Sequence, residues 1–127
     1  MPYRANIDAL KRQGCTDVVA GSAVGSLRED FAPGDFVIVD QYIDRTTQRA
    51  PSFFGPGCVA HVSLADPTCP RLGAACAEAG RAEGLTVHEG ATYLSMEGPQ
   101  FSTRAESRIY RGWGADVIGM TGCSEAR

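Results

Sequence analysis

The amino-acid sequence predicts an α/β protein with a mostly parallel or mixed sheet flanked by helices. Two observations lead to this prediction. Segments with helical periodicity alternate with short apolar runs, so that strand, helix, strand, helix and strand follow a first helix. The chain has 127 residues, which is at most one domain and is enough to bury a core. We therefore interpret residues 1–127 as belonging to a single domain.

The first half of the chain predicts one helix and two strands. Residues 3–13 carry apolar side chains at helical spacing, and Gly14 follows where a C-terminal glycine would end a helix. The apolar run at 18–20 predicts a short buried strand. A second strand is predicted at 36–39, after a Pro-Gly-Asp turn signal, whereas the aperiodic stretch 45–57 predicts a loop.

The second half predicts a helix between two further strands. Residues 70–83 have helical periodicity, although Gly73 and Gly80 each cost about 1 kcal/mol relative to alanine, so tertiary contacts must support the helix. Its predicted apolar face consists of Leu72, Ala75, Cys76 and Ala79. Residues 86–96 have a strand-like pattern, and residues 116–120 predict a last buried strand.

A capping box precedes a third predicted helix. Thr103 and Glu106 have the S/T-x-x-E spacing, and the helix is expected to run to about Trp113. Phe101, just before the capping box, has two interpretations. It could pack near the helix start as a hydrophobic staple, which the local sequence favours, or present its ring to a flat ligand.

Composition and charge exclude several classes of function. A net charge of −3 argues against a protein that mainly binds nucleic acid or an anionic membrane. No run approaches the roughly 20 apolar residues of a membrane span, so a cytoplasmic location is expected. The five cysteines and two histidines lack zinc-type spacing, and we expect reduced, mostly structural cysteines and no metal site.

Three segments are predicted to lie at the edge of the sheet where ligands of α/β proteins bind. Residues 20–26 combine glycines with Ser22 and Ser26, which is the composition of an anion-binding nest, although tight packing explains it about equally well. Thr121 follows the last strand and could contact the same anion, but a turn threonine is the simpler interpretation. Residues 95–107 form the third segment, in which Glu97 is a weaker candidate for a ligand contact.

Four runs of the sequence together resemble the purine nucleoside phosphorylase superfamily. They are GSAVGSLRED at 21–30, PGDFVIVDQYIDRTT at 33–47, MEGPQFSTRAES at 96–107 and WGADVIGMT at 113–121. Their order and spacing match the family over almost the whole chain. The run at 96–107 is similar to the adenosine-type branch, because inosine- and guanosine-specific members usually carry Phe-Glu-Thr or Leu-Glu-Thr at 101–103.

The resemblance implies phosphorolysis of S-methyl-5′-thioadenosine to adenine and 5-methylthioribose-1-phosphate, with inorganic phosphate as co-substrate and no cofactor. Its implied phosphate contacts are Ser22, the Ala23 amide and Thr121. Its implied nucleoside contacts are Met120 under the ribose, Phe101 and Ile118 against the purine, Ser102 beside the purine, and His61, which reaches a neighbouring subunit of a homotrimer. On local grounds alone, His61 is more simply a packed histidine than a catalyst.

The resemblance further implies that residues 1–127 are the central part of a nucleoside phosphorylase domain. The family's glycine-rich loop and Arg-His pair would precede them, and the aspartate that protonates the purine would follow them. We therefore expect no catalytic residue of that kind within the chain and little or no phosphorolysis by the chain alone. Ser124 occupies the position of a family proline. A phosphorylase for methylthioinosine or other purine nucleosides and a non-catalytic binding or assembly protein remain alternatives.

Overall fold

A four-stranded mixed sheet with helices packed around it forms the centre of the computed structural model, which describes all residues from Met1 to Arg127. The elements in chain order are α1 (Tyr3–Arg12), β1 (Gly25–Ser26), β2 (Phe36–Arg45), α2 (Pro70–Ala82), β3 (Val87–Met96), α3 (Arg104–Gly112), β4 (Val117–Gly119) and α4 (Gly122–Ala126). The strand order is β1-β4-β3-β2, with β2, β3 and β4 parallel and β1 antiparallel to β4. The predicted α/β class is confirmed. No helix is long and apolar enough to cross a membrane.

The strand predicted at 18–20 is wrong. This run has no regular secondary structure, and Val18 and Val19 are 49% and 68% exposed. The first strand instead lies at Gly25–Ser26, where Gly25 pairs with Ile118 in the antiparallel direction. Residues 18–20 pair with no strand of the sheet, and an apolar run alone does not make a strand without a partner. The residues before β1 nevertheless lie beside the carboxyl end of β4, because β1 runs antiparallel to β4.

The close approach of α2 to the sheet explains its two interior glycines. A Cβ atom added to Gly80 would lie 2.8 Å from Cγ2 of Val87, and one added to Gly73 would lie 3.3 Å from Cγ2 of Ile38. The helix therefore contacts the sheet through its glycine-bearing face, with Ala77 fully buried. The predicted apolar face is partly wrong, since Ala75 and Ala79 are exposed.

The core lies between β3, β4 and the segments that cover them. Leu94 is completely buried at its centre, and the surrounding cluster contains Leu27, Met96, Ala115 and Ile118. The total accessible surface is 8828 Å², compared with about 6500 Å² for a typical folded monomer of this mass. Apolar side chains account for part of the excess, including Val19, Phe53, Phe54, Val59, Val62 and Phe101.

The capping box of α3 forms as predicted. The Thr103 hydroxyl accepts a hydrogen bond from the Glu106 amide at 3.2 Å, and the Glu106 carboxylate accepts one from the Thr103 amide at 2.7 Å. These two bonds satisfy amides that the first turn of the helix leaves without a backbone partner. They fix the direction in which the chain enters α3.

All five cysteines are free thiols, in agreement with the expectation that they are reduced. Their mostly structural role is not supported, because Cys15, Cys58 and Cys69 are exposed. Cys123 is the exception. It is buried, and burial raises the pKa of its thiol to about 11, so the thiolate form is disfavoured at neutral pH.

Candidate functional site

The carboxyl ends of three parallel strands meet at one edge of the sheet. In the strand register, Arg45 at the end of β2 pairs with Met96 at the end of β3, and Ser95 pairs with Gly119 at the end of β4. The start of β1 lies at the same edge, because Gly25 pairs with Ile118. The three segments predicted to line a ligand site therefore converge here, although the first of them precedes a strand instead of following one.

Hydroxyl groups from β3 fix the turn that follows β4. The Tyr93 hydroxyl accepts hydrogen bonds from the amides of Thr121 at 3.3 Å and Gly122 at 3.4 Å. The Ser95 hydroxyl accepts one from the Cys123 amide at 3.1 Å. Tyr93 and Ser95 project from the same face of β3 because side chains alternate along a strand. Three consecutive amides at the start of α4 are thus bonded to side chains of the neighbouring strand.

Arg49 joins the ends of β3 and β4 from the loop after β2. Its guanidinium donates hydrogen bonds to the carbonyl oxygens of Met96 and Glu97, each at 3.2 Å, and to the carbonyl of Met120. It also donates to the Ser124 hydroxyl at 2.8 Å. Only 13% of the Arg49 side chain is exposed. This role could not be predicted from the sequence, because Arg49 lies in an aperiodic loop.

Glu97 anchors the same loop. Its carboxylate accepts hydrogen bonds from the amides of Thr47 and Gln48 and forms an ion pair with Arg49 at 3.2 Å. Because the two amides and then Arg49 stabilise the charged form, the pKa of Glu97 falls to about 2. These contacts occupy the carboxylate, so Glu97 acts here as a loop anchor.

Ser124 makes two hydrogen bonds at the start of α4. Its hydroxyl accepts a hydrogen bond from the Arg49 guanidinium, and its amide donates one to the Thr121 carbonyl at 3.1 Å. A proline at this position could make neither bond, because it lacks both a hydroxyl and an amide hydrogen. Ser124 therefore connects the loop after β2 to the turn after β4.

Phe101 and Ser102 line a pocket of about 160 Å³ beside the end of β3, together with Arg45 and Tyr110. The Phe101 ring is 81% exposed, so the hydrophobic-staple interpretation is wrong and the ring is available to a ligand. Ser102 is half-buried, and its hydroxyl lies 2.9 Å from that of Ser107. A flat aromatic surface next to hydroxyl groups is suited to stacking and hydrogen bonding with a planar heterocycle.

The residues implied as phosphate contacts lie on neighbouring strand ends. Ser22 and Ala23 are exposed in the stretch leading into β1, and Thr121 is half-buried after β4. Ser26, the other hydroxyl of the predicted nest, is occupied in a local turn, where it donates to the Arg28 carbonyl and accepts from the Arg28 amide. The Ser26 hydroxyl is therefore engaged within the chain, and the phosphate roles of Ser22, Ala23 and Thr121 stay predictions.

The remaining predicted contacts differ in their accessibility. Met120 is half-buried at the strand edge. Ile118 is 7% exposed and belongs to the core cluster, so it lies beneath the edge and not on it. His61 is exposed in the irregular stretch between β2 and α2, which makes the packed-histidine interpretation wrong. The ligand roles of all three residues stay predictions.

A larger cleft of about 870 Å³ was not predicted from the sequence. It lies between the start of α1 and the loop after β2, and it is bordered by Tyr3, Ile7, Phe53, Met120 and Ser124. Several of its walls are exposed apolar side chains, whereas Met120 connects it to the strand edge. No group of three or more His, Cys, Asp and Glu side chains lies close enough together to bind a metal ion.

This fold, with polar groups converging at the carboxyl edge of a mixed sheet, matches a known family of enzymes. The family model described as the Phosphorylase superfamily matches residues 1–127, and the chain belongs to this family. Among curated proteins, it is 72% identical over 127 residues to the S-methyl-5′-thioadenosine phosphorylase of Cereibacter sphaeroides, covering 100% of this chain and 44% of that protein. The protein of the same name from Bradyrhizobium diazoefficiens is 58% identical over 125 residues, covering 98% of this chain and 43% of that protein.

Solved structures of the family have the same fold. A methylthioadenosine phosphorylase from an Antarctic soil metagenomic library superimposes with a TM-score of 0.96 at 53% identity, covering 99% of this chain and 45% of that one. Methylthioadenosine phosphorylase from Schistosoma mansoni, in complex with adenine, superimposes with a TM-score of 0.92 at 36% identity, covering 98% of this chain and 52% of that one. The chain spans less than half the length of the curated relatives described above.

Proposed function

We propose that the chain provides the phosphate- and nucleoside-binding edge of an enzyme that cleaves S-methyl-5′-thioadenosine with inorganic phosphate. The products are adenine and 5-methylthioribose-1-phosphate. The observation that carries this proposal is the 72% identity, over the full length of the chain, to a relative named S-methyl-5′-thioadenosine phosphorylase. The adenine in the Schistosoma mansoni structure supports an adenine nucleoside as substrate.

The chemistry of the reaction suits the side chains at the strand edge. A phosphate oxygen bonds to the anomeric carbon while the bond from that carbon to the purine nitrogen breaks and its electron pair leaves with the purine. Positive charge develops on the sugar in the transition state, so an anion held beneath it is stabilising. Phosphate would be held by uncharged hydrogen-bond donors, namely the hydroxyls of Ser22 and Thr121 and the amide of Ala23. Uncharged donors bind phosphate without neutralising its negative charge.

The nucleoside would occupy the pocket beside the end of β3. Phe101 offers an exposed ring for stacking with the purine, and Ser102 offers a hydroxyl at the side of the same pocket. Met120, which directly precedes Thr121 in the chain, would contact the ribose. The departing purine must gain a proton, and we assign that step to none of the residues in this chain.

A hybrid enzyme tests the proposal. Residues 1–127 replace the matching segment of the Cereibacter sphaeroides relative, and release of adenine from S-methyl-5′-thioadenosine is followed with and without phosphate. We expect phosphate-dependent release within about tenfold of the unmodified relative, which corresponds to about 1.4 kcal/mol in transition-state stabilisation. A folded hybrid that binds phosphate and nucleoside without turnover would support a non-catalytic binding protein instead. Faster release of hypoxanthine from methylthioinosine would favour the other phosphorylase alternative.

We also propose that the complete enzyme is a cytoplasmic homotrimer in which His61 reaches a neighbouring subunit. The exposure of His61 supports this, because a histidine at a subunit boundary must be accessible in the single chain. Sedimentation of the hybrid enzyme checks the assembly. A His61→Ala variant should remain trimeric and show a raised KM for the nucleoside, whereas a monomeric hybrid with an unchanged KM would contradict the proposal.

A further inference from the structure

We propose that Tyr93 is a positioning residue of the phosphate site, which fixes Thr121 so that its hydroxyl, and not the amides around it, faces the phosphate. This inference rests on the proposed function, because it concerns how the Thr121 contact is made. Tyr93 lies on β3 and is only 3% exposed. It therefore acts through Thr121 and does not touch phosphate itself.

The hydrogen bonds of the turn remove its amides as donors to an anion. The Tyr93 hydroxyl accepts hydrogen bonds from the amides of Thr121 and Gly122, and the Ser95 hydroxyl accepts one from the amide of Cys123. An amide whose hydrogen is already bonded within the protein is not available to a second acceptor at full strength. The start of α4 is thus unlike a phosphate-binding turn, in which successive free amides point at the ligand.

The Thr121 side chain is left free by the same arrangement. Although Thr121 precedes α4 directly, its side chain makes no capping hydrogen bond to the helix. In a capped helix the threonine hydroxyl would be engaged with a backbone amide of the first turn. Here the Ser95 hydroxyl satisfies the Cys123 amide and the Thr121 carbonyl satisfies the Ser124 amide, so the Thr121 hydroxyl can donate its hydrogen to a phosphate oxygen.

The Tyr93 hydroxyl can reach the turn only because Gly119 has no side chain. A Cβ atom added to Gly119 would lie 2.0 Å from the Tyr93 hydroxyl oxygen, so any side chain there would displace it. On the other side of the turn, the Arg49 guanidinium binds the Met120 carbonyl. The turn is therefore held on its amide side by Tyr93 and on its carbonyl side by Arg49.

The test compares two single-atom deletions in the hybrid enzyme described above. Tyr93→Phe removes the hydroxyl that accepts the two amides. Tyr42→Phe is the matched control, because its ring centre lies 5.5 Å from that of Tyr93 and its hydroxyl is not bonded to the turn. We expect Tyr93→Phe to raise the KM for phosphate about five- to tenfold, the effect of losing a hydrogen bond of ordinary strength, with the KM for the nucleoside within about twofold. Tyr42→Phe should leave both constants within about twofold.

Amide hydrogen exchange, measured by NMR on the 127-residue chain, provides a second readout that needs no activity. Tyr93→Phe should speed exchange at Thr121 and Gly122 about tenfold, and leave Cys123, which is bonded to Ser95, unchanged as an internal control. Equal exchange in the wild-type and Tyr93→Phe chains would overturn the inference, as would an active hybrid whose KM for phosphate is the same in both variants. A folded wild-type hybrid without turnover would instead overturn the proposed function, while the exchange result would still decide the role of Tyr93.

Discussion

The turn after β4 and the stretch between β2 and α2 contribute to the same edge of the sheet but are held in different ways. The turn, residues 120–122, is bonded to buried side chains of β3 and to Arg49. The stretch, residues 46–69, has no helix or strand and exposes Phe53, Phe54 and Val62. Its longer-range hydrogen bonds to the rest of the chain are those that Thr47, Gln48 and Arg49 make at the strand ends, and single bonds at Ser52, Ala65 and Thr68.

Two of the predicted site residues, Thr121 and His61, lie in these two differently held regions. The phosphate contact at Thr121 belongs to a turn whose position the fold determines, because buried hydroxyls of the sheet are its partners. His61 lies in a stretch that this chain leaves largely in solvent. The turn, which carries the predicted contacts Met120 and Thr121, and the stretch that carries His61 are therefore expected to respond very differently to substitution.

The largest difference should appear between the core cluster, against which Met120 of the turn packs, and the stretch 46–69. Leu94→Ala removes the fully buried centre of the core and should lower the free energy of unfolding by about 2–5 kcal/mol. Val62→Ala, at a side chain that is 81% exposed, should change it by less than about 0.5 kcal/mol. Urea unfolding of the 127-residue chain measures both. Similar losses for the two variants would show that the stretch is packed as firmly as the core.

Removing the connection between the two regions should have the next largest effect. Arg49→Met keeps an unbranched, mostly apolar side chain but leaves the Met120 carbonyl and the Glu97 carboxylate without their shared donor. We expect a loss of about 1–3 kcal/mol in unfolding free energy, because the half-buried Met120 carbonyl loses its side-chain donor and Glu97 loses its ion pair. Arg49→Lys should lose less stability than Arg49→Met, because a lysine can replace one of the hydrogen bonds but not the several bonds of the planar guanidinium. No loss in Arg49→Met would mean that the two regions are held independently.

The capping box should contribute less. Thr103→Ala removes the hydroxyl that accepts the Glu106 amide and should cost about 1 kcal/mol in urea unfolding. Thr103→Ser retains that hydroxyl and serves as the control, with a loss below about 0.5 kcal/mol. Because α3 follows directly after Phe101 and Ser102, the alanine variant should also weaken nucleoside binding by the hybrid enzyme. A serine variant as unstable as the alanine variant would assign the effect to the methyl group.

The pH dependence of the loop anchor should be the smallest effect. The pKa of Glu97 is lowered from its ordinary value of 4.5 to about 2, so its charged form contributes stability that is fully present above about pH 4.5. That contribution is lost as the pH falls from about 4.5 to 2. The difference in unfolding free energy between the wild-type chain and Glu97→Gln should therefore shrink over this range. A difference that is constant with pH would show that the Glu97 charge is not involved.

Much of the fold could be predicted from local patterns. The helix at 70–83, the strand at 86–96 and the capping box of Thr103 and Glu106 are signalled by residues that lie close together in the chain, and the structure confirms them. The strand at 18–20 failed because strand formation depends on a partner elsewhere in the sequence, which an apolar run does not reveal.

The site was predicted less completely than the fold. The family resemblance indicated Thr121 and Phe101, but not the side chains that hold the turn in place. Tyr93 is predicted only as part of a strand, Arg49 only as part of a loop, and Ser95 only as part of the segment 95–107 at the sheet edge. Their contacts join residues 28 to 75 positions apart, and no local periodicity encodes contacts of that range.

The most direct test of the central claim, that this edge binds phosphate and nucleoside at separate positions, is the pair of KM values of two variants of the hybrid enzyme. Thr121→Val keeps the shape of the side chain but removes its hydroxyl. It should raise the KM for phosphate about tenfold and leave that for S-methyl-5′-thioadenosine nearly unchanged. Phe101→Ala should do the reverse, since it removes the stacking surface. Equal effects of each variant on both constants, or no effect of either, would contradict the account.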